Sequence, residues 1–284
     1  MPNRSSRRTR LGGLALAASL AAVCLLPAGA AQAGSTLPAL NVAINATSIT
    51  VSGATQSGAV NVVSTATGVK QAATILIRLN PGVSPAALFA FLGGSKGEPD
   101  INEVRKFGSI VFDAEVTPGQ PSEAQTTLEP GEYVALDAPG EGPPKIHSSF
   151  TVTAAASPAA LPAPGATVKS IEFGFRGPVV LHDGETVRFE NEGFLVHMDI
   201  AFPVKNKGAA KRLMKDLKTG KEKQAQKLIV GPPVSFHGPL SNGGMQQQTI
   251  TAKPGLYVQA CFMDTQDGRS HTRLGMERVI KIAK

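Results

Sequence analysis

The chain contains 284 residues, 42% of them hydrophobic and 17% charged, and it carries 28 Lys and Arg against 21 Asp and Glu. Four arginines fall within the first ten residues, which leaves the rest only slightly basic, with 24 basic against 21 acidic side chains. The low aromatic content of 5%, together with the export signal described next, argues against a nucleic-acid partner.

The N-terminal segment 1–33 has the three parts of a secretory signal peptide. A basic start is followed by an apolar run over 11–26 and by the small-x-small sequence Ala31-Gln32-Ala33. We therefore expect cleavage near Ala33 and a secreted or periplasmic mature chain. The alternative is an N-terminal membrane anchor, but this apolar run is shorter than the about 20 residues that a membrane span needs. No later segment comes close to that length, so we expect no transmembrane segment in the mature chain.

Cysteine content limits the chemistry of the mature chain. Removal of the signal takes Cys24 with it, so Cys261 is the only cysteine left and no intramolecular disulfide can form. In an oxidising compartment a lone thiol is a liability unless it is buried or bound. Cys261 is therefore the first residue whose role needs an explanation.

Composition along the mature chain indicates two halves joined by a linker. Residues 154–166 are rich in Ala and Pro without a periodic apolar pattern, which is typical of a linker. We predict one domain over 34–153 and a second over 167–284. The first half is mildly acidic and the second basic, since residues 34–155 carry a net charge of −4 and residues 156–284 a net charge of +7.

Both halves have the pattern of β-structure, because short runs of Val, Ile, Thr and Phe are broken by Gly, Pro, Asn and Asp. The runs predict strands over 48–52, 60–63, 73–79 and 108–112, and over 170–175, 186–190, 197–202 and 247–252. Each half also has one helical insertion. Ser84 as N-cap, Pro85 and the stop signal Gly93 predict the first helix. Apolar residues at helical spacing predict the second over 209–217.

Several landmarks recur in the two halves. Residues 130–134 (PGEYV) match residues 254–258 (PGLYV) at an offset of 124, and the same offset separates His147 from His271. The two predicted helices follow corresponding strands. These landmarks predict that the two halves are tandem copies of one fold.

The order of four side chains in the second half points to metal chemistry. His197 lies on an early strand, and a Pro-Gly-x-Tyr strand then leads to Cys261, His271 and Met276. This order resembles the cupredoxins, the blue copper proteins such as plastocyanin and rusticyanin, and the resemblance covers most of residues 165–284. It implies an all-β fold of two tandem cupredoxin-like Greek-key β-sandwiches, each with a short helical insertion.

The resemblance also implies one copper ion in the second domain, with His197, Cys261, His271 and Met276 as its ligands. A thiolate and two imidazoles suit both Cu(II) and Cu(I), and a weak thioether ligand tunes the reduction potential. Asn191 stands where the family has an asparagine that holds the turn before the first histidine. The spacing of four residues between His271 and Met276 is also that of plastocyanin and rusticyanin.

The loop between Cys261 and His271 departs from the family. It has nine residues, where the family usually has far fewer. The turn sequence Asp267-Gly268 can return His271 to the metal, but Asp264 is an oxygen donor that could replace a ligand. Two alternatives therefore stay open: a modified copper centre, and a metal-free sandwich in which Cys261 is a buried thiol.

The first half lacks a comparable ligand set. Asp137 stands where Cys261 would be, the counterpart of His197 lies near Ala73, and no methionine follows His147. We expect this half to be a metal-free scaffold or docking domain.

The histidine count also bears on enzymatic function. Five histidines without a His-x-His pair argue against the trinuclear centre of a multicopper oxidase, and His182 and His237 have no ligand-like neighbours in the sequence. We expect one-electron transfer through a type 1-like mononuclear site rather than an enzyme. The alternatives are copper storage or delivery and, from another class, a metal-free extracellular binding or structural module.

The segment Lys205–Lys227 contains nine basic residues and two acidic ones. Its basic residues are Lys205, Lys207, Lys211, Arg212, Lys215, Lys218, Lys221, Lys223 and Lys227. One interpretation is an ordinary solvated helix face. The other is a docking surface for an acidic redox partner or an anionic surface of the cell envelope.

Overall fold

A computed structural model describes residues 37–94, 99–138 and 144–284. The segment 1–33, interpreted above as a secretory signal, lies outside these residues. Within the described ranges, we find no helix that has both the length and the apolar character needed to cross a membrane.

The first half is a β-sandwich. Its strands are β1 (Ala39–Ile44), β2 (Ile49–Gly53), β3 (Gly58–Ala66), β4 (Ala72–Leu79), β5 (Gly108–Val116), β6 (Ser122–Leu128), β7 (Gly131–Asp137) and β8 (His147–Val152). Leu40, Val42 and Ile44 alternate with exposed residues along β1, so period-two patterning turns one apolar face toward the core. The strand orders of the two layers are β2-β1-β3-β6 and β5-β4-β7-β8, with β1 parallel to β3.

The second half repeats this arrangement. Its strands are β9 (Ala166–Ile171), β10 (Gly174–Arg176), β11 (Val180–His182), β12 (Thr186–Asn191), β13 (His197–Val204), β14 (Val234–Leu240), β15 (Met245–Thr249), β16 (Gly255–Ala260) and β17 (Glu277–Ala283). The layers have the orders β10-β9-β12-β15 and β14-β13-β16-β17-β11, with β9 parallel to β12. The structure thus confirms the predicted fold of two tandem cupredoxin-like sandwiches.

The two sandwiches are joined edge to edge. Strands β6 and β15 pair antiparallel, with Gln125 opposite Gln247, so one sheet continues through both halves. Beside this junction, the Ser241 N–H donates to the Ile110 carbonyl (3.0 Å) and the Ile110 N–H donates to Ser241 Oγ (2.9 Å). Residues 37–284 therefore form one compact unit.

The segment between β8 and β9 is ordered against both sandwiches, although it contains neither helix nor strand. The Ala59 N–H on β3 donates to the Ala159 carbonyl (2.8 Å), and Arg188 on β12 donates to the Pro162 carbonyl (3.2 Å). The Ala- and Pro-rich segment is thus hydrogen-bonded to both sandwiches.

A short helix follows β4 in the first half, as the sequence predicted. Helix α1 (Pro85–Leu92) begins after Ser84, whose Oγ accepts the Ala87 N–H (3.2 Å), and it ends at Gly93. Its Leu88 packs in the apolar cluster on the outer face of β4 and β7. A 3-10 helix (Ile101–Lys106), absent from the sequence prediction, follows α1.

The helix after β13 is longer than predicted. Helix α2 (Lys207–Lys218) starts two residues earlier than expected, because Asn206 caps it by accepting the Ala209 N–H (2.9 Å). A further short helix, α3 (Glu222–Gln226), follows it. Leu213 and Leu217 face the apolar cluster on the outer side of β13 and β16, while the basic side chains of α2 face solvent.

Two predicted strands differ from the structure. The predicted strand 170–175 is two strands, because Glu172 and Phe173 form the turn by which β9 reverses into β10. The predicted strand 247–252 begins at Met245 and ends at Thr249. Beyond Thr249 the N–H groups of residues 250 and 252 donate to loop oxygens rather than to a neighbouring strand.

Strand register defines which residues correspond. Tyr133 on β7 lies opposite Arg78, and Tyr257 on β16 lies opposite Pro203 on the equivalent strand. The same register places Asp137 at the end of β7 where Cys261 follows β16, and Ala72 at the position of His197.

One expected equivalence is wrong. His147 lies opposite Leu136, whereas the residue opposite the corresponding Ala260 is Glu277. His147 therefore corresponds to Glu277 and not to His271, because the chain between β16 and β17 is longer than that between β7 and β8. The shared offset of the two histidines is a coincidence of sequence length.

The hydroxyl groups of Tyr133 and Tyr257 each bond to the backbone four residues earlier, and their contribution to stability can be tested. Tyr257 Oη donates to the Lys253 carbonyl (2.7 Å). Tyr133 Oη donates to the Glu129 carbonyl (2.9 Å) and also accepts the Glu129 N–H (3.0 Å). We expect Tyr257→Phe to lower the free energy of unfolding by about 1 kcal/mol, and Tyr133→Phe by more, about 1–3 kcal/mol, because it also leaves a backbone donor unpaired. Urea unfolding measures both; equal losses would contradict this account.

Candidate metal centre

Three polar side chains from separate segments meet at one end of the second sandwich. His197 begins β13, Cys261 follows β16, and His271 begins a 3-10 helix (His271–Leu274). Cys261 Sγ lies 3.7 Å from His197 Nδ1 and 3.3 Å from His271 Nδ1. All three side chains are fully buried. The structure therefore brings together three of the four predicted ligands through their side chains.

Asn191 fixes the turn that delivers His197. This buried side chain accepts the Gly193 N–H (2.8 Å) and donates to the carbonyls of Leu195 and Leu240 (2.8 Å each). All three hydrogen bonds of its side chain are to backbone groups, so they hold the turn after β12 and give His197 a defined position at the start of β13. The role expected for Asn191 is confirmed.

Glu172 is a site residue that the sequence analysis missed. Its Oε1 accepts the Leu195 N–H (2.8 Å) and lies 3.5 Å from His197 Nε2, the ring nitrogen that faces away from Cys261. Partial burial raises the pKa of Glu172, but the backbone donor and His197 outweigh it and hold that pKa below its usual value. A carboxylate behind a ligand histidine orients the ring and increases its basicity. Glu172 comes close to His197 only because the chain turns between β9 and β10, which the sequence did not predict.

The nine-residue loop between Cys261 and His271 folds back on itself. Its ends meet where the His271 N–H donates to the Met263 carbonyl (2.8 Å), next to a bridge between Asp264 and Ser270. At its tip, Gly268 adopts a φ of +74°, which favours glycine in the predicted Asp267-Gly268 turn. The long loop thus returns His271 to Cys261, and Asp264 is not part of the donor cluster.

Met276 lies beside these residues. Its side chain is fully buried, its carbonyl accepts the Cys261 N–H (3.2 Å), and its N–H donates to the His271 carbonyl (2.9 Å). The backbone of Met276 therefore joins the segments that carry the thiol and the second histidine.

Burial sets the protonation of the three donors. It raises the pKa of the Cys261 thiol to about 12, although the N–H groups of Met198 and Met263 favour the thiolate. It lowers the pKa of His271 to about 4, helped by the neighbouring His197, and also lowers that of His197, against the opposing effect of Glu172. At neutral pH both imidazoles are neutral and can donate a lone pair, whereas the thiol holds a proton that a metal ion must displace.

The donors are close enough to share one ion. Metal bonds to imidazole nitrogen and thiolate sulfur are about 2.0–2.3 Å long, so donors of one ion lie no more than about 4.3 Å apart when they contact it directly. Both distances from Cys261 Sγ satisfy this limit. The Nδ1 atoms of both histidines face the sulfur, while both Nε2 atoms are buried without a hydrogen-bond partner among the described residues.

The other candidate positions do not join this cluster. In the described ranges, His197, Cys261 and His271 are the only group of three or more His, Cys, Asp or Glu side chains close enough to hold a metal. His147 stacks on Phe89 at the surface, His182 is exposed beside Glu185, and His237 is buried with Nδ1 against the Gly238 carbonyl (2.6 Å).

Comparison with known proteins finds similarity at the level of structure. Neither a protein-family model nor a curated protein matches the sequence. Auracyanin from Roseiflexus castenholzii is 20% identical over 42% of this chain and 95% of its own, with a TM-score of 0.26. Copper nitrite reductase from Nitrosomonas europaea is 11% identical over 87% of this chain and 93% of its own, with a TM-score of 0.23.

Burial of the Cys261 thiol predicts how fast the metal-free protein reacts with an alkylating reagent. Alkylation requires the thiolate, and a pKa of about 12 leaves Cys261 protonated across the pH range below it. We expect iodoacetamide at pH 8 to label the native metal-free protein more slowly than the urea-unfolded protein, by on the order of a hundredfold or more. Mass spectrometry over time measures both rates. Comparable rates would show that Cys261 is accessible and that the donor cluster is not closed.

Proposed function

We propose that this protein is an exported copper protein that transfers single electrons through one type 1-like site in its second sandwich. The observation that carries the proposal is the convergence of one thiol and two imidazole Nδ1 atoms in a buried pocket. Two histidines and one cysteine with a weak axial thioether form the donor set of blue copper sites. Bound copper would supply the one-electron step between Cu(II) and Cu(I).

The residues around such a site would have different roles. His197, Cys261 and His271 would hold the ion, with Met276 as the axial ligand. Asn191 holds the turn before His197, and the Glu172 carboxylate lies 3.5 Å from Nε2 of the His197 ring. The N–H of Met198, which donates to Cys261 Sγ (3.4 Å), stabilises negative charge on the sulfur. Several of these contacts are hydrogen bonds to backbone groups, and a site held in this way suits electron transfer because little rearrangement should follow a change in charge.

The proposal of a carrier rather than an enzyme rests on the histidines. The chain has five histidines and no His-x-His sequence, which leaves no ligand set for a trinuclear copper centre. Export is proposed from the basic and apolar N-terminal pattern. We also propose that the first domain covers residues 34–153, the linker residues 154–166 and the second domain residues 167–284.

Copper addition tests the site directly. We expect the purified mature protein to take up one Cu(II) per chain and to develop an intense visible charge-transfer band from the thiolate. Cys261→Ser should abolish the band, whereas Met276→Leu should keep the colour and shift the reduction potential. The matched control is His182→Ala, which removes an exposed histidine outside the cluster and should change neither property.

The outcomes separate the alternatives. A reversible one-electron voltammetric wave supports electron transfer. A colourless site that binds Cu(I) and releases it readily to a competing chelator supports storage or delivery. No copper uptake by the folded protein would contradict the proposal and favour a metal-free binding or structural module.

We further propose that the basic surface of residues 205–227 docks an acidic redox protein. All nine of its basic side chains are exposed, and in the described ranges none forms an ion pair with a carboxylate within 4.0 Å. Helix α2 packs against the 3-10 helix that begins with His271, and Arg273 of that helix lies against Gly220. A partner bound here would lie next to the segment that carries a metal ligand.

Salt dependence tests this surface. With polyglutamate as the acidic probe, we expect binding that weakens steeply as ionic strength rises, because the Debye length is about 10 Å at 0.1 M salt and shrinks above it. Lys211→Glu with Lys215→Glu should weaken binding about tenfold or more. Lys70→Glu with Lys145→Glu, the same charge change at exposed positions of the first sandwich, is the control. Equal effects of the two pairs, or preference for vesicles of anionic lipid, would contradict the proposal.

A further inference from the structure

A buried amide of the first sandwich forms hydrogen bonds with the metal-site loops of the second. Asn102 lies in the 3-10 helix Ile101–Lys106 and is 3% exposed. Its Oδ1 accepts the N–H of Val196 (2.9 Å), and its Nδ2 donates to the carbonyl of Asp264 (2.8 Å). Both bonds cross from the first sandwich to the second.

These two bonds reach both segments that bring the donors together. Val196 directly precedes His197. Asp264 stands at the base of the loop between Cys261 and His271, where it bridges Ser270, the residue before His271. One side chain of the first sandwich therefore ties the segment of the early histidine to the loop that returns the late one.

Asn102 is itself held in place. Asp100 caps the 3-10 helix, and its Oδ1 accepts both the backbone N–H (3.0 Å) and the Nδ2 group (2.8 Å) of Asn102. Arg105 on the same helix lies over the ring of Phe194, 5.3 Å from its centre, in the turn before His197. Buried polar networks that are fully bonded hold one geometry, because any rearrangement leaves a group unpaired.

Apolar contacts continue the same interface. The side chains of Val196 and Met263 belong to the apolar cluster on the outer face of the first sandwich, which also contains Leu88 of α1. The carbonyl of Met263 accepts the His271 N–H (2.8 Å). The nine-residue loop is thus long enough to lie against the first sandwich and still return His271 to the thiol.

We propose that Asn102 is a positioning residue for the metal centre, and that the first sandwich completes the site by clamping its two loops. The inference deepens the proposed function, on which it rests for the identity of the ion. The clamp itself is a property of the metal-free chain and can be tested separately.

The test compares two variants of Asn102 with a matched control. Asn102→Ala removes both bonds, and Asn102→Leu removes them while filling a similar volume. Asn80→Ala is the control, because Asn80 Nδ2 donates to the Arg105 carbonyl (2.8 Å) and so supports the same 3-10 helix without contacting a metal-site loop. The two readouts are amide hydrogen exchange of the metal-free protein at Val196 and across residues 263–271, and the rate of Cu(II) release to a chelator.

We expect both Asn102 variants to exchange the Val196 amide about tenfold faster than the wild type. We expect them to release Cu(II) about 10–100-fold faster, with an altered charge-transfer band, because partners of the ligand segments have effects of this size on metal affinity. Asn80→Ala should change neither. Exchange and release rates equal to those of Asn80→Ala would overturn the clamp. A wild-type protein that binds no copper would overturn the proposed function, while faster Val196 exchange would still support the clamp.

Discussion

Burial of a thiol between two imidazoles is the constraint on which the rest of this structure depends. Removing Cys261 from water favours its neutral form and holds its pKa near 12, and the same burial keeps His271 neutral down to a pH of about 4. Polar groups buried without strong partners cost free energy. A cation that replaces the thiol proton and accepts both nitrogen lone pairs offsets that cost, so the three donors are well suited to a metal ion.

The β-sandwich makes this burial possible by bringing distant segments to one end. His197 and Cys261 leave neighbouring antiparallel strands, β13 and β16, and so need no special loop to approach each other. His271 has no strand to position it, and it depends on a closed loop whose base is bonded to the other sandwich. His271 is therefore the donor whose position depends on a loop rather than on a strand.

Much of the fold follows from local sequence. The cap residues Ser84 and Gly93 act within a few positions, and a single sequence displays them directly. Strand β1 was not predicted, although its apolar residues alternate. The four ligand candidates came from the resemblance of their order to that of the cupredoxins. The interruption of the predicted strand 170–175 does not follow from local sequence, because Glu172 and Phe173 form a turn without Gly, Pro, Asn or Asp.

The supporting residues of the site were beyond prediction from sequence for a physical reason. Glu172 acts on His197 from 25 positions away, and Asn102 meets Val196 across 94 positions, and neither belongs to a periodic pattern. Such contacts arise only when two sheets and two sandwiches have packed. The expected equivalence of His147 and His271 was wrong because equal spacing along the chain carries no information about strand register.

X-ray absorption at the copper edge, on the mature protein loaded with one equivalent of Cu(II), tests the central claim most directly. Our account predicts a single sulfur scatterer at a short distance, no more than about 2.3 Å, together with two imidazole nitrogens. A copper ion surrounded only by oxygen and nitrogen would contradict it, because Cys261 would then be a buried thiol that takes no part in metal binding.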